Sequence, residues 1–548
     1  MTPTLRGADI VMRALETAGC TRIFTLSGNH IMSLFDAALE TSLDLVHVRQ
    51  EAAAVHMADA WGRLTGRPGV AMVTGGPGHA NAVPALFTAR AQDAPLVLLS
   101  GHAATSEWGR GGFQELAQAE MAAPLAKASW TASRTEDLAA DLARAFALAT
   151  SGRPGPVHLS LPSDVLDRRV AAGDVTLGGA PPPAATLADA AADTILALLA
   201  GAERPLVIAG PGFSGHGGPA ALARLRAALG VPAVVMESPR GLADASLGAF
   251  GAVLERSDLV LLLGKPLDFT LRFGVLPEVQ SGARRFVMID PEGAILDRAA
   301  REPAVRLAFA TLADSRPAAA ALIARAAGRA PAHAAWLAEA EILLRGRPES
   351  WAGLRAAAPG KLHPAEVCRA VAPFLTDDRA ILICDGGEFA QWGQSLLSAP
   401  RRLVNGVAGS IGSAIPFALA ARCADPEAPV FALLGDGTFG FHMAEFETAV
   451  RRGLPFVAVV GTDARWNAEY NLQVRDYGAN RAQGCDLAAT RYDLVAAALG
   501  GHGELVEHAD ALPGALTRAA ASGLPACVNV MIESAAGPVL TAAALARG

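Results

Sequence analysis

Cysteine is scarce and scattered: the six in this chain of 548 residues stand at Cys20, Cys368, Cys384, Cys423, Cys485 and Cys527. No CxxC pair and no Cys/His cluster forms at that spacing, which excludes a disulfide framework or a zinc site as the organising feature and leaves buried, inert thiols. Long greasy runs are missing too. The longest apolar stretches, such as 95–101 and 259–264, suit buried strands and fall far short of the ~20 residues of a membrane-spanning helix. The N-terminus lacks the basic-then-apolar plan of a signal peptide, so a cytoplasmic location is expected. Positive charge is not in excess either. A net charge of −7 offers no basic face to nucleic acid. Neither a membrane nor a nucleic-acid partner is expected.

What remains is a globular composition, 51% apolar and 18% charged, with much of the apolar share supplied by alanine. The chain is too long for one core; at roughly 150 residues per unit it predicts three or four domains. Short β-branched runs fall at 22–28, 43–49, 69–76, 95–101 and 156–162, then at 205–212, 232–236, 258–264 and 284–290, and finally at 379–387, 429–437, 455–463 and 525–532. Ala/Leu/Arg-rich helical stretches separate them, the pattern of α/β folds with parallel sheets. A Pro/Ala-rich linker at 178–186 and a looser region near 346–362 divide the chain. The expected domains are 1–177, 187–345 and 360–548, each doubly wound with mainly parallel strands. Ligands are then expected at the carboxyl ends of the strands.

The sharpest local signal is a strand ending at Gly435-Asp436-Gly437, a helix, and a second strand ending at Thr462-Asp463. The aspartates are 463 − 436 = 27 residues apart, one β-α-β unit. Two carboxylates at adjacent strand ends make a hard-oxygen site suited to Mg²⁺. Gly435, Gly437 and Thr438 let backbone approach a phosphate at a helix N-terminus. GDG alone would equally suit a tight turn, and Asp463 alone an exposed cap; the spacing is what joins them.

These residues resemble the thiamine diphosphate-dependent enzyme family, whose motif is GDG followed about 27 residues later by paired asparagines. Asp463 falls where the second asparagine would stand and Thr462 where the first would, a departure that adds negative charge. The resemblance implies Asp436, Asp463 and the backbone carbonyl of Arg465 as Mg²⁺ ligands. It makes Gly387 and Glu388, in "CDGGEFAQW", part of the diphosphate loop. It makes Ile411, in "VAGSIGSAIPFALAA", the bulky residue that holds the cofactor bent. In "LDLVHVRQEAAAVHMADAWGRLTG" a strand gives way to Glu51 at the start of an alanine-rich helix. A glutamate is favoured at a helix N-terminus in any case. Followed by "VTGGPGHANAV", however, the segment resembles the pyrimidine-binding domain. That makes Glu51 the acid that drives the aminopyrimidine to its imino tautomer, with desolvation keeping it a proton donor. Gly75, Gly76, Gly78 and Asn81 fall on the same domain's turn.

Within the family the chain resembles the acetolactate synthase, benzaldehyde lyase and 2-hydroxyacyl-CoA lyase group. "LSGNHIMSLFDAAL" resembles benzaldehyde lyase and implies His30 as a substrate-facing acid/base or hydroxyl-orienting group. "GRGGFQELAQAEMAAPLAKASW" is common to the group; it implies Gln114 as a donor to a substrate carbonyl and leaves Lys127 to packing or a neighbouring cofactor. Trp466, Asn467, Glu469 and Tyr470 follow the metal strand with no assigned role. The central segment "KPLDFTLRFG" departs from the Arg-Phe-Asp-Asp stretch of FAD-binding acetolactate synthases, so FAD or ADP in the central domain stays open. The implied activity is that of a lyase/carboligase on 2-oxo acids or 2-hydroxy ketones, working through a thiazolium carbanion and an enamine. The alternatives are 2-hydroxyacyl-CoA lyase or oxalyl-CoA decarboxylase, for which Arg401 and Arg402 would meet phosphates, and a non-catalytic cofactor-binding homologue. The family joins the first domain of one chain to the third of another, which implies a homodimer or homotetramer acting on a small-molecule substrate.

Overall fold

A computed structural model describes residues 4–172, 184–276, 284–328 and 332–545. By internal contacts the chain forms two compact units, one of Met1–Pro183 with Leu419–Ala424 and one of Ala184–Ala418 with Asp425–Gly548. Of the linker at 178–186, residues 178–183 lie outside the described residues. No helix among the described residues is long and apolar enough to cross a membrane.

The first unit is built on a six-stranded parallel sheet in the spatial order Asp44–His47, Arg22–Leu26, Gly69–Val73, Leu96–His102, Pro156–Pro162, Ala128–Thr131. Numbered by sequence within the sheet, that is 2-1-3-4-6-5. A small antiparallel pair, Thr4–Arg6 with Arg169–Ala171, stands beside it. The helix Glu51–Thr65 is started by the Gln50 side chain, which accepts the Ala53 N–H (3.2 Å), and ended by Gly66 in the left-handed conformation. Its alanines matter because it lies close on the sheet. A methyl group at Gly69 would stand 2.0 Å from the Ala58 carbonyl oxygen.

The second unit holds two sheets. One, five-stranded and parallel, runs Ala233–Val235, Pro205–Ala209, Leu259–Leu263, Arg285–Asp290, Arg306–Leu312. The other, six-stranded and parallel, runs Arg401–Val404, Ile381–Asp385, Val430–Gly435, Val457–Thr462, Ala526–Met531, His502–Val506. Its internal order is again 2-1-3-4-6-5, so the first and last sheets share one topology. In both, the direction of winding reverses between the first and third strands, where an open α/β sheet binds its ligand. The three domains are thus α/β with mainly parallel sheets.

The segment 346–362, read from sequence as loose, is pinned by arginines. Arg347 donates to the carbonyls of Ser395 (2.7 Å) and Ser246 (2.8 Å), and Arg369 to those of Trp351 (3.0 Å) and Leu354 (2.6 Å).

Candidate active site

In the last sheet the first strand ends at Asp385 and the third at Gly435, and the fourth, paired with the third, ends at Thr462. The residues singled out from the motif therefore converge at the reversal point. One cavity is lined by Gly387, Glu388, Ile411, Gly435, Asp436, Gly437, Thr438, Asp463, Arg465 and Trp466, among others. A side chain added at Gly387 or Gly435 would meet nothing within 4 Å. Those two glycine faces are open to a ligand.

Asp436 is 2% exposed, and its two oxygens accept the N–H of Gly437 (2.8 Å) and of Ala464 (2.9 Å). Burial pushes its carboxyl up to about 6, against those N–H groups and that of Arg465. Asp463 is pushed up to about 7, first by burial and then by the charge of Asp436; the Ser534 hydroxyl and the Arg465 N–H act the other way. Buried Asp436 and half-buried Asp463 repel one another and make an oxygen-only donor set, relieved on the Asp463 side only in part by the Arg465 charge, which fits a small divalent cation. Thr462 points elsewhere, donating to Asn529 Oδ1 (2.6 Å). The turn that presents Arg465 is strained: Ala464 has φ +58°. It is held by pairing with a neighbouring segment, Leu487 N–H to Ala464 O (2.8 Å) and Trp466 N–H to Cys485 O (2.7 Å). The Arg465 guanidinium reaches Asp486 (3.0 Å) and lies 4.1 Å over the Tyr470 ring.

Trp466 explains the second glycine of the motif. A methyl at Gly437 would fall 2.5 Å from its ring. Glu388, expected in the diphosphate loop, turns its carboxylate to Arg240 (2.9 Å) and to the Gly537 N–H (2.8 Å). Asn467 donates to Ala535 O (2.9 Å).

Asp385 was missed from the sequence. Fully buried, it accepts the N–H of Gly412 (3.0 Å) and Ala414 (2.7 Å) and the Ser413 hydroxyl (3.3 Å), tying the strand end to the loop that carries Ile411. Burial pushes it up to about 7 despite these bonds. A bare aspartate closing an apolar strand ahead of two glycines is the signal that could have found it.

In the first unit the reversal point gathers the Gly75-Gly76 turn after the third strand and His30 after the first. Glu51 is half-buried and accepts from Asn81 Nδ2 through Oε2 (3.1 Å). Its Oε1 lies 3.5 Å from where a methyl at Gly78 would stand. His30 is 5% exposed, and burial lowers its pKa. Its Nε2 faces the Phe113 carbonyl (3.2 Å) and its Nδ1 the Thr74 hydroxyl (3.3 Å). A carbonyl only accepts, so the neutral ring carries its proton on Nε2. The exposed Phe113 ring stacks on it at 5.9 Å. Gln114, half-buried with φ +58°, packs its backbone and Cβ against Gly76. Lys127 donates to the carbonyls of Leu148 and Ser151 at the end of the helix Leu138–Thr150, a packing role. Gln118, unremarked in the sequence, proves to be 1% exposed and bonded to this turn.

At the reversal point of the central sheet, where the FAD or ADP question lies, Lys265 is buried and ion-paired with Asp268 (2.6 Å). Arg316 lies over the Phe213 ring at 5.2 Å and donates to the His216 carbonyl (2.9 Å).

Comparison with known proteins bears on the whole chain. Residues 5–121 match the model of the thiamine pyrophosphate enzyme N-terminal TPP binding domain, 192–322 that of the central domain, and 385–530 that of the C-terminal TPP binding domain. A probable acetolactate synthase of Mycobacterium bovis (strain ATCC BAA-935 / AF2122/97) is 33% identical over 547 residues, covering 97% of this chain and 96% of that one. The 2-hydroxyacyl-CoA lyase 2 of Homo sapiens is 31% identical over 580 residues, covering 96% and 90%. The 2-hydroxyacyl-CoA lyase of Oryza sativa subsp. japonica is 28% identical over 572 residues, covering 97% and 96%.

Proposed function

Because the chain belongs to the thiamine pyrophosphate enzyme family, we propose that it is a lyase/carboligase acting on 2-oxo acids or 2-hydroxy ketones. That it is a thiamine pyrophosphate-dependent lyase or transferase follows from the family; the substrate is our own reading. The observation that carries it is the Asp436–Asp463 pair lining one cavity with two open glycine faces at a sheet's reversal point.

When bound, the cofactor supplies a nucleophilic carbon that adds to a carbonyl and takes up the electrons of the broken carbon–carbon bond. The chain's own residues do the rest. Asp436, Asp463 and the Arg465 carbonyl would hold Mg²⁺. The backbone at Gly387, Gly435, Gly437 and Thr438 would receive the diphosphate, with the Ile411 side chain on the same cavity wall. Glu51 holds or releases a proton at the aminopyrimidine, steadied by Asn81. His30 and Gln114 stand where a substrate hydroxyl or carbonyl would be oriented. As the two halves of this machinery sit on separate units, we place them together in a homodimer or homotetramer, the Glu51 half from one copy and the metal half from another.

The relatives of Homo sapiens and Oryza sativa favour a second reading, a 2-hydroxyacyl-CoA lyase. Against it, Arg401 is held by Asp425 (2.7 Å) and Arg402 by Glu237 (2.5 Å), so both cations offered to CoA phosphates already face carboxylates. The test is NMR product analysis after incubation with thiamine diphosphate, Mg²⁺ and pyruvate, without FAD. Acetolactate or acetoin supports the 2-oxo acid reading and makes FAD dispensable. Untouched pyruvate with bound cofactor moves the assignment to 2-hydroxy ketones or acyl-CoA substrates.

A further inference from the structure

The Glu51 half of the site rests on a buried polar network that the proposed chemistry does not use. Gln118, 1% exposed, makes three hydrogen bonds with one amide group. Its Nε2 donates to the Gly101 carbonyl (3.0 Å) and to Ser160 Oγ (2.9 Å); its Oε1 accepts the Gly76 N–H (2.8 Å). The amide has only one workable orientation. Gly101 O accepts and Gly76 N–H donates, so a flipped amide would set like against like at both ends.

The amide is also anchored from behind. Ser160 lies 3.4 Å from His158 Nε2, and Ser100 Oγ lies within hydrogen-bonding range of both His158 Nε2 (3.2 Å) and His79 Nδ1 (2.8 Å). Ser129 joins His158 Nδ1 (2.8 Å) to the Ala119 carbonyl (2.7 Å), next to Gln118 itself. His79 and His158 are fully buried with rings 4.5 Å apart. A network connected at this many points restrains the geometry of its members, although His79 Nε2 finds no hydrogen-bond partner within it.

What Gln118 fixes is the turn that walls Glu51. Gly76 has φ +57° and ψ −112°, a conformation open to glycine alone, and it begins the helix Pro77–Ala91. The first turns of that helix bring Gly78 against Glu51 Oε1 and the Asn81 amide onto Oε2. A shift of Gly76 is therefore passed directly to the surroundings of the Glu51 carboxylate. Catalytic geometry tolerates little of this: a displacement of about 1 Å costs on the order of 10²-fold in rate.

We propose that Gln118 is a positioning residue for cofactor activation, holding the Gly75-Gly76 turn so that Gly78 and Asn81 meet Glu51. The assignment rests on the thiamine diphosphate reading above. The test compares the wild type with Gln118→Met, which fills similar volume without polar atoms, and with Gln118→Glu. The cofactor-free proteins are followed by amide hydrogen exchange, and thiamine diphosphate with Mg²⁺ is then titrated in. For Gln118→Met, exchange in the segment 75–81 rises at least about tenfold while the strands Leu96–His102 and Pro156–Pro162 keep their protection, and the cofactor binds roughly tenfold more weakly. Gln118→Glu retains the acceptor for Gly76. Relative to the wild type at the same pH, a comparison that cancels the protonation of Asp436 and Asp463, it regains affinity as the pH is lowered and its carboxyl recovers a donor for Gly101 O or Ser160; the titratable groups facing that spot are His30, His79, His102 and His158. Faster exchange spread evenly through the sheet would mean bulk destabilisation and would overturn the positioning role. Unchanged exchange and affinity in Gln118→Met, with a wild type that binds cofactor, overturns this assignment alone. A wild type that binds no thiamine diphosphate overturns both readings.

Discussion

Asp463 stands where the family motif has asparagine, and a half-buried acid beside the buried Asp436 is costly without a cation. Both carboxyls are raised in the folded protein, to about 6 for Asp436 and about 7 for Asp463. The unfolded chain ionises first, near 4, so folding binds protons at this pair and the pair's contribution to stability falls as pH rises from about 4 through about 7. Buried histidines such as His79 and His158, whose pKa is lowered by burial, act the other way. Calorimetry of the metal-free protein should therefore show the wild-type Tm falling relative to Asp463→Asn across that window, and Mg²⁺ should raise the wild-type Tm more at pH 8 than at pH 5. Asp463→Ala should lose Mg²⁺-dependent cofactor binding by about 10–100-fold in a titration; a titration indifferent to the change would refute the metal assignment. Both aspartates were legible in the sequence because a β-α-β unit fixes how far apart two neighbouring strand ends fall. Asp385 and Gln118 were not, since their partners are backbone N–H and C=O groups brought close only by the fold, such as Gly76, 42 residues from Gln118. The His30 ring shows the same limit. Sequence marked the residue, yet the Thr74 and Phe113 contacts that set its tautomer depend on two further loops.

At the scale of elements, glycines with similar-looking motif positions do different work, and two substitutions separate them. Gly435 has ordinary φ (−74°) and empty space where a methyl would go, so Gly435→Ala should leave Tm within about 1 °C while blocking the open face and weakening cofactor binding. Gly437→Ala drives a methyl into Trp466 and should lower both Tm and affinity. Paired thermal melts and titrations of the two variants check the contrast. The strands themselves were legible where they are central. The four parallel strands missing from the sequence reading, Ala128–Thr131, Arg306–Leu312, Arg401–Val404 and His502–Val506, are all at sheet edges. An edge strand is covered on fewer sides and needs no apolar run; the paired arginines of Arg401–Val404 and the histidine-glycine pair of His502–Val506 hide those two from a hydrophobicity pattern.

For the whole molecule, the first and last sheets share the order 2-1-3-4-6-5, and the candidate residues of each gather at the same topological point. If copies of the chain pair these halves, mixing inactive Glu51→Gln with inactive Asp463→Ala subunits under exchange should restore about a quarter of wild-type activity, because half the dimers then carry one intact site. A mixture that stays inactive would place both halves in one chain. The central claim concerns Glu51, and hydrogen–deuterium exchange at C2 of the bound cofactor reads it most directly, without any choice of substrate. The measurement is quenched-flow NMR on wild type and Glu51→Gln loaded with thiamine diphosphate and Mg²⁺. The account predicts comparable cofactor binding in both proteins and C2 exchange slowed by about 10²–10⁴-fold in the variant. Equal exchange in the two would contradict it.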